Sequence, residues 1–237
     1  MLEFQVAVTK THKYASRESG DTVELVERPH GGISIFLVDA QGSGQAAKTI
    51  SNLVISRGAV MIKEGARDGA VARSLHDYLF TLRHGRVSAT LNILSVDLQS
   101  RSVVLSRNDE NPAYLFNKEG IELHDEKALP IGIYTRTKPA IIERPITPFM
   151  GIVMTSDGVV HAGKRKSMPF DVQGFLEQQL AKGWPNAQTL ADAVFDRALD
   201  LEDGRPRDDV TVVTLTVVPG VETEAPIRRL LAWLPVE

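Results

Sequence analysis

The sequence predicts an α+β fold in which two β-sheets pack face to face with pairs of helices outside. The first observation is the order of its periodic segments: strands, two helices, strands, two helices, then a strand. Runs of one type, rather than strict alternation, argue against a doubly wound parallel sheet. The second is the number of strands, which suggests two sheets. The third is composition. The chain has 237 residues, 43% hydrophobic and 24% charged, an ordinary globular balance. A chain of that length buries a core without disulfide or metal staples.

Residues 2–9 alternate apolar and polar side chains and read as a strand. Residues 23–27 and 33–38 are two more strands, joined by the turn-forming Pro29-His30-Gly31-Gly32. Ala46, Ala47, Ile50, Leu53 and Val54 mark a helix over 45–60, and Ala72, Leu75, Leu79 and Leu82 a second over 68–82. The period then switches to strands at 87–98, 102–107, 113–116, 140–144 and 151–155. Helices are expected near 172–182 and 189–199, then a β-branched strand at 210–218. One domain over 1–219 precedes an extension at 220–237, expected as a docked strand or short helix.

Charge and composition exclude several functions. Lys+Arg 27 against Asp+Glu 30 leaves a net charge of −3, without the basic excess of a duplex-DNA binder. There is no cysteine, so there is no disulfide framework and no thiolate metal site. No apolar run is long enough to span a bilayer, and the first residues lack a signal-peptide pattern. A cytoplasmic protein with no nucleic-acid or membrane partner is expected.

Four aspartates carry the chemistry. Asp21 opens a strand, Asp39 and Asp157 end strands, and Asp208 opens the last long one. Carboxylates at strand edges are costly to bury without a positive partner. Taken singly, each is more often a turn former or helix cap. Converging at one end of a sheet, they make an all-oxygen site suited to Mg²⁺ or Mn²⁺. The six histidines are scattered, and none stands near Asp39 in sequence.

The ordered set of Gly20-Asp21, Asp39-Ala40-Gln41-Gly42-Ser43-Gly44, Asn111-Pro112, Leu129-Pro130-Ile131-Gly132, Ser156-Asp157-Gly158 and Asp208-Asp209-Val210-Thr211 resembles the metal-dependent Ser/Thr protein phosphatases, the PPM or type 2C group. Within it, the set looks closest to the bacterial sporulation stage II protein E branch, and covers residues 5–217. The Gly42-Ser43-Gly44 form is similar to the feedback phosphatase of the bacterial stressosome. The resemblance implies an αββα fold with antiparallel sheets and two divalent ions, Mn²⁺ or Mg²⁺. It implies hydrolysis of phosphoserine and phosphothreonine by a metal-activated water, in bacterial stress or sigma-factor regulation. Asp39 would bridge the ions, Asp21, Asp157 and Asp208 would complete the carboxylate set, and the Ala40 carbonyl would serve one ion. Arg17 would reach the phosphate. The partner would be a phosphorylated regulatory protein of anti-anti-sigma or stressosome type.

Three departures stand out. Ala40 replaces a usual glycine and requires a backbone free of positive φ. Asn108-Asp109-Glu110 precedes Asn111-Pro112 where relatives often have Gly-His. No histidine offers itself as general acid. The alternatives are a catalytically weak or inactive scaffold on the same fold, and a two-metal phosphodiesterase. Strand alternation further predicts that Asp208 and Asp209 point apart, with Asp209→Asn mild.

Overall fold

The computed structural model describes residues 1–220 and 228–233. Among these residues no helix is long and apolar enough to cross a membrane. Two antiparallel five-stranded sheets stack face to face. One contains β1 (Leu2–Thr11), β10 (Val210–Pro219), β9 (Met150–Thr155), β6 (Ala113–Asn117) and β7 (Gly120–His124), in that order. The other runs β2 (Thr22–Glu27), β3 (Gly32–Ala40), β4 (Ala89–Asp97), β5 (Ser102–Asn108) and β8 (Ala140–Pro145). Helices α1 (Gly44–Lys63) and α2 (Asp68–Arg83) cover the second sheet. The short α3 (Asp157–Val160), α4 (Val172–Ala181) and α5 (Ala187–Leu201) lie on the first.

Three apolar layers follow from the strand and helix periods. Between the sheets, Ile35, Leu37, Leu94 and Val96 meet Ile152, Met154, Val213 and Leu215. The alternate residues of the same strands face the helices: Phe36 and Val38 pack with Val54 and Leu75, and Val212 with Leu190 and Val194. Central strands buried on both faces are apolar almost throughout, and β10 is buried along most of its length, with valine, leucine and threonine in place of a polar face. At Gly58 of α1 an added Cβ would stand 2.7 Å from the Phe36 ring, so this helix lies directly on the sheet. Arg28 ties the same layer together, donating from Nη1 to Asp68 at 3.0 Å and to the Ser34 hydroxyl at 2.9 Å.

The expected helices and strands occur with ends shifted by a few residues, and three elements are additional, one of them a single 3₁₀ turn at Lys164–Lys166. Strand β7 is short, polar and largely exposed, with no alternation to mark it. The four-residue α3 starts on Asp157 itself. Residues 228–233 form no helix or strand, and Leu230, Leu231 and Trp233 are exposed. The docked strand or helix expected there otherwise falls at 221–227 and 234–237, outside the described residues.

Candidate active site

Three loop-to-strand junctions are laced together by hydrogen bonds, and the candidate carboxylates project from that knot. The first junction is Gly20-Asp21, before β2. Its Gly20 N–H donates to Asp209 Oδ2 at 2.6 Å. The second is Thr155-Ser156-Asp157, after β9. Ser156 N–H donates to the Thr211 carbonyl, and Thr211 N–H donates back to Ser156 Oγ, both at 3.0 Å. The third is Asp208-Asp209, before β10. Gly158 must be glycine here, because an added Cβ would meet the Asp209 carbonyl oxygen at 2.2 Å. That approach sets the Asp157 segment directly against the Asp208 segment. Asp39 enters from the other sheet as the penultimate residue of β3, paired with Thr90.

Asp21 is buried, and its Oδ2 accepts a 2.5 Å hydrogen bond from the Thr211 hydroxyl. Its carbonyl accepts from Lys10 Nζ at 2.8 Å and Lys48 Nζ at 3.0 Å. Ser51 of α1 donates to the Gly20 carbonyl at 2.8 Å and shares a hydrogen bond with Thr22, so α1 is fastened to this junction. Asp39 and Asp157 are half-buried and Asp208 is exposed. Ala40 is extended, paired with Ala89, and is not among the residues with positive φ.

The electrostatics place these groups in one field. Burial first, then the charges of Asp21, Asp157, Asp208 and Asp109, push the Asp39 carboxyl up to about 9. Burial lifts Asp21 to about 7, against hydrogen bonds from Thr211 and Ser156 that favour its charged form and with Asp209 adding repulsion. Asp157 is also raised, by burial and then by Asp208, while His161 opposes the shift. Among the described residues, no three carboxylate or imidazole groups stand close enough to form a closed metal cage. The carboxylate charges still act on one another at longer range, and every side-chain donor they offer is an oxygen. Such a set cannot ionise fully without a cation, and hard divalent ions fit its donor chemistry.

Asp109 was missed as a site residue by sequence reasoning. It is 2% exposed, with Oδ2 accepting from Asn92 at 2.7 Å and Oδ1 accepting from Asn111 N–H at 2.8 Å. Its charge acts on both Asp39 and Asp157. The signal was the same as for the other four: an acidic residue just beyond an apolar strand, here β5. Arg107 is buried beside it and donates to the Asn111 and His124 carbonyls, holding the turn that carries Asp109. Arg17 lies exposed in the loop before β2 and makes no hydrogen bond or ion pair among the described residues.

The raised carboxyls set a pH dependence. Asp39 and Asp21 have an ordinary value of 3.8 and are raised to about 9 and about 7 in the fold. Between those limits the folded chain holds protons that the unfolded chain has lost, so stability falls as pH rises. Metal-free protein should therefore melt at progressively lower temperature from about pH 5 to pH 9. Saturating Mn²⁺ should flatten the slope. Thermal denaturation in chelator against pH checks this, and a rising Tm across that window contradicts it.

The family model for stage II sporulation protein E matches residues 29–218. Stage II sporulation protein E of Priestia megaterium is 20% identical over 196 residues, 82% of this chain and 33% of that protein. The chain thus spans about a third of that relative's length. A solved structure of the PP2C phosphatase domain, with a fragment of the regulatory domain, of the same cell fate determinant from Bacillus subtilis superposes with a TM-score of 0.79. The identity is 19%, over 93% of this chain and 65% of that one. The serine/threonine phosphatase of S. agalactiae gives 0.67 at 12% identity, over 92% and 100% of the two chains. A structure from work on the bacterial stressosome gives 0.67 at 16% identity, over 90% and 99%. These likenesses show the same αββα sandwich. With four-fifths of its length matched by the family model, the chain belongs to the stage II sporulation protein E family.

Proposed function

We propose that the protein is a metal-dependent phosphoprotein phosphatase acting on phosphoserine and phosphothreonine. One observation carries the reading: five carboxylates, Asp21, Asp39, Asp109, Asp157 and Asp208, from five separate segments, act on one another around Asp39. A fold has no structural use for that concentration of negative charge. Asp39 is the centre of the set, and Asp21, Asp157 and Asp208 flank it as ligands for two Mn²⁺ or Mg²⁺ ions, with Asp109 as a further carboxylate. The Ala40 carbonyl adds a neutral oxygen. When bound, such ions act as Lewis acids that activate water and offset charge on a phosphoryl group.

The chain's own residues orient and neutralise. Thr211 fixes the Asp21 carboxylate, and Lys10 and Lys48 hold the main chain of the same residue. Arg17, on an exposed loop before Asp21, is free to meet the substrate phosphate. No cysteine is present to serve as a covalent nucleophile, so direct attack by water suits the site. The phosphatase-domain neighbours and the stressosome-derived neighbour support a phosphorylated regulatory protein as substrate, in a cytoplasmic signalling role.

Hydrolysis of p-nitrophenyl phosphate tests the reading. Activity should appear with Mn²⁺ or Mg²⁺, vanish in excess EDTA and return on adding the ion, while bis-p-nitrophenyl phosphate stays intact. Full activity in EDTA, or a strict zinc requirement, would contradict it. A second reading, fed by Ala40 and by the lack of a histidine beside Asp39 in sequence, is a scaffold on the same fold that binds its partner without turnover. Stable capture of a phosphorylated partner with no phosphate released in Mn²⁺ would select that reading.

A further inference from the structure

A cavity with a charged rim lies on the helix side of the β2–β8 sheet, between α2 and the segment joining β7 to β8. Its volume is about 540 Å³, within the usual range for small-molecule sites. Arg73 from α2 and Lys127, Arg136 and Lys138 from the joining segment line it, against Asp77 and Glu126. Four cations against two carboxylates leave an excess of positive charge. Among the described residues, the ion pairs of the fold engage only Lys127 of the four, with Glu110 at 3.8 Å. The other three have no carboxylate partner there.

The cavity has a built wall as well as a charged rim. His76 lines it and is only 3% exposed. Its Nδ1 accepts a 3.1 Å hydrogen bond from Gly132 N–H, which leaves the ring proton on Nε2 as a donor. The opposite wall is fixed too. The Leu129 carbonyl accepts from the Thr137 hydroxyl and from Asn108 Nδ2, both at 2.9 Å, and Ala128 N–H donates to the Asp109 carbonyl at 3.2 Å. The joining segment is therefore held in place, and its guanidinium and ammonium groups stand around a preformed hollow.

We propose that this cavity binds a small polyanion, a molecule carrying two or more phosphate or carboxylate groups. The guanidinium groups of Arg73 and Arg136 supply forked donors that match either group, with Lys138 and Lys127 as point charges and His76 Nε2–H as the inner donor. The inference is independent of the phosphatase reading. In the metal-free protein the five-carboxylate site repels anions, so a polyanion has no competing place there.

The test uses the full chain, stripped of metal on a chelating resin and free of soluble chelator, with amide cross-peaks in NMR spectra as the readout. Pyrophosphate and citrate are titrated separately, with chloride at matched ionic strength as the control. Saturable shifts of the Gly132, Thr137 and Arg73 amides are expected, with an apparent Kd of about 1 mM or below for at least one probe. The tighter probe identifies the phosphate or the carboxylate class. The double substitution Arg73→Gln with Arg136→Gln should weaken binding at least about tenfold. Its remaining cross-peaks should stay in place, since both side chains are exposed. Three results would overturn the proposal: no saturable shift up to about 10 mM of either probe, equal shifts with chloride, or undiminished binding in the double variant.

Discussion

Replacing Asp39 with Asn should lower metal-dependent turnover by about a hundredfold or more. Asn retains the shape and one oxygen but removes the charge that stands among four other carboxylates. The same substitution should leave the metal-free protein equally stable or more so. In the fold, Asp39 is pushed up to about 9 by burial and like charges, so ionising it opposes folding. The difference should grow with pH, and most of the alkaline loss of stability should disappear. Steady-state kinetics in Mn²⁺ and thermal melts in chelator, both at neutral and alkaline pH, separate the two effects. A variant with near-normal turnover, or one that melts below the parent at pH 9, would remove Asp39 from the centre of the site.

Asp208→Ala and Asp209→Asn should fail in different ways. Asp208 is exposed, and its charge acts on Asp39 and Asp157. Its loss should remove most turnover while the fold keeps its stability. Asp209 is not a surface residue, and its charge acts on Asp21. It is 6% exposed, and its two oxygens accept from Lys13 N–H at 2.8 Å and Gly20 N–H at 2.6 Å. Asparagine places an NH₂ against one of those donors. Leaving a buried donor unpaired costs about 1–3 kcal/mol. Asp209→Asn should therefore cost stability even where turnover falls little, because this carboxylate clamps two loops to β10. Urea denaturation of both variants, with turnover measured beside it, checks the division. Equal stability for the two would contradict it.

The layered fold was legible because central strands and covering helices obey their periods. β10 is β-branched and buried on both faces, and α1 and α2 carry their apolar residues at helical spacing. Strand β7 was not legible, since an exposed five-residue edge strand has little to bury and so no pattern. The candidate site was legible in four of its carboxylates, since each interrupts or bounds an apolar strand. Asp109 bears the same mark, but it stands in a loop that diverges from the family pattern; only tertiary structure sets β5 one strand away from β3, across β4, with β9 in the facing sheet. Asp209, Thr211, Ser156 and Gly158 show a further limit. Their hydrogen bonds and close approaches lock three junctions together, and each such contact joins residues far apart in the chain.

The central claim is that these carboxylates form a site completed by divalent ions. Calorimetric titration of Mn²⁺ into metal-free protein at pH 7, repeated in buffers of different ionisation enthalpy, tests it most directly. Asp39 and part of the Asp21 population hold protons at that pH, so binding must expel them. The account predicts about two Mn²⁺ per chain, with release of on the order of one proton. It also predicts that the Asp39→Asn variant loses most of that proton release, keeping only the Asp21 share. No Mn²⁺ binding at millimolar concentration, or binding with heats independent of the buffer, would contradict it.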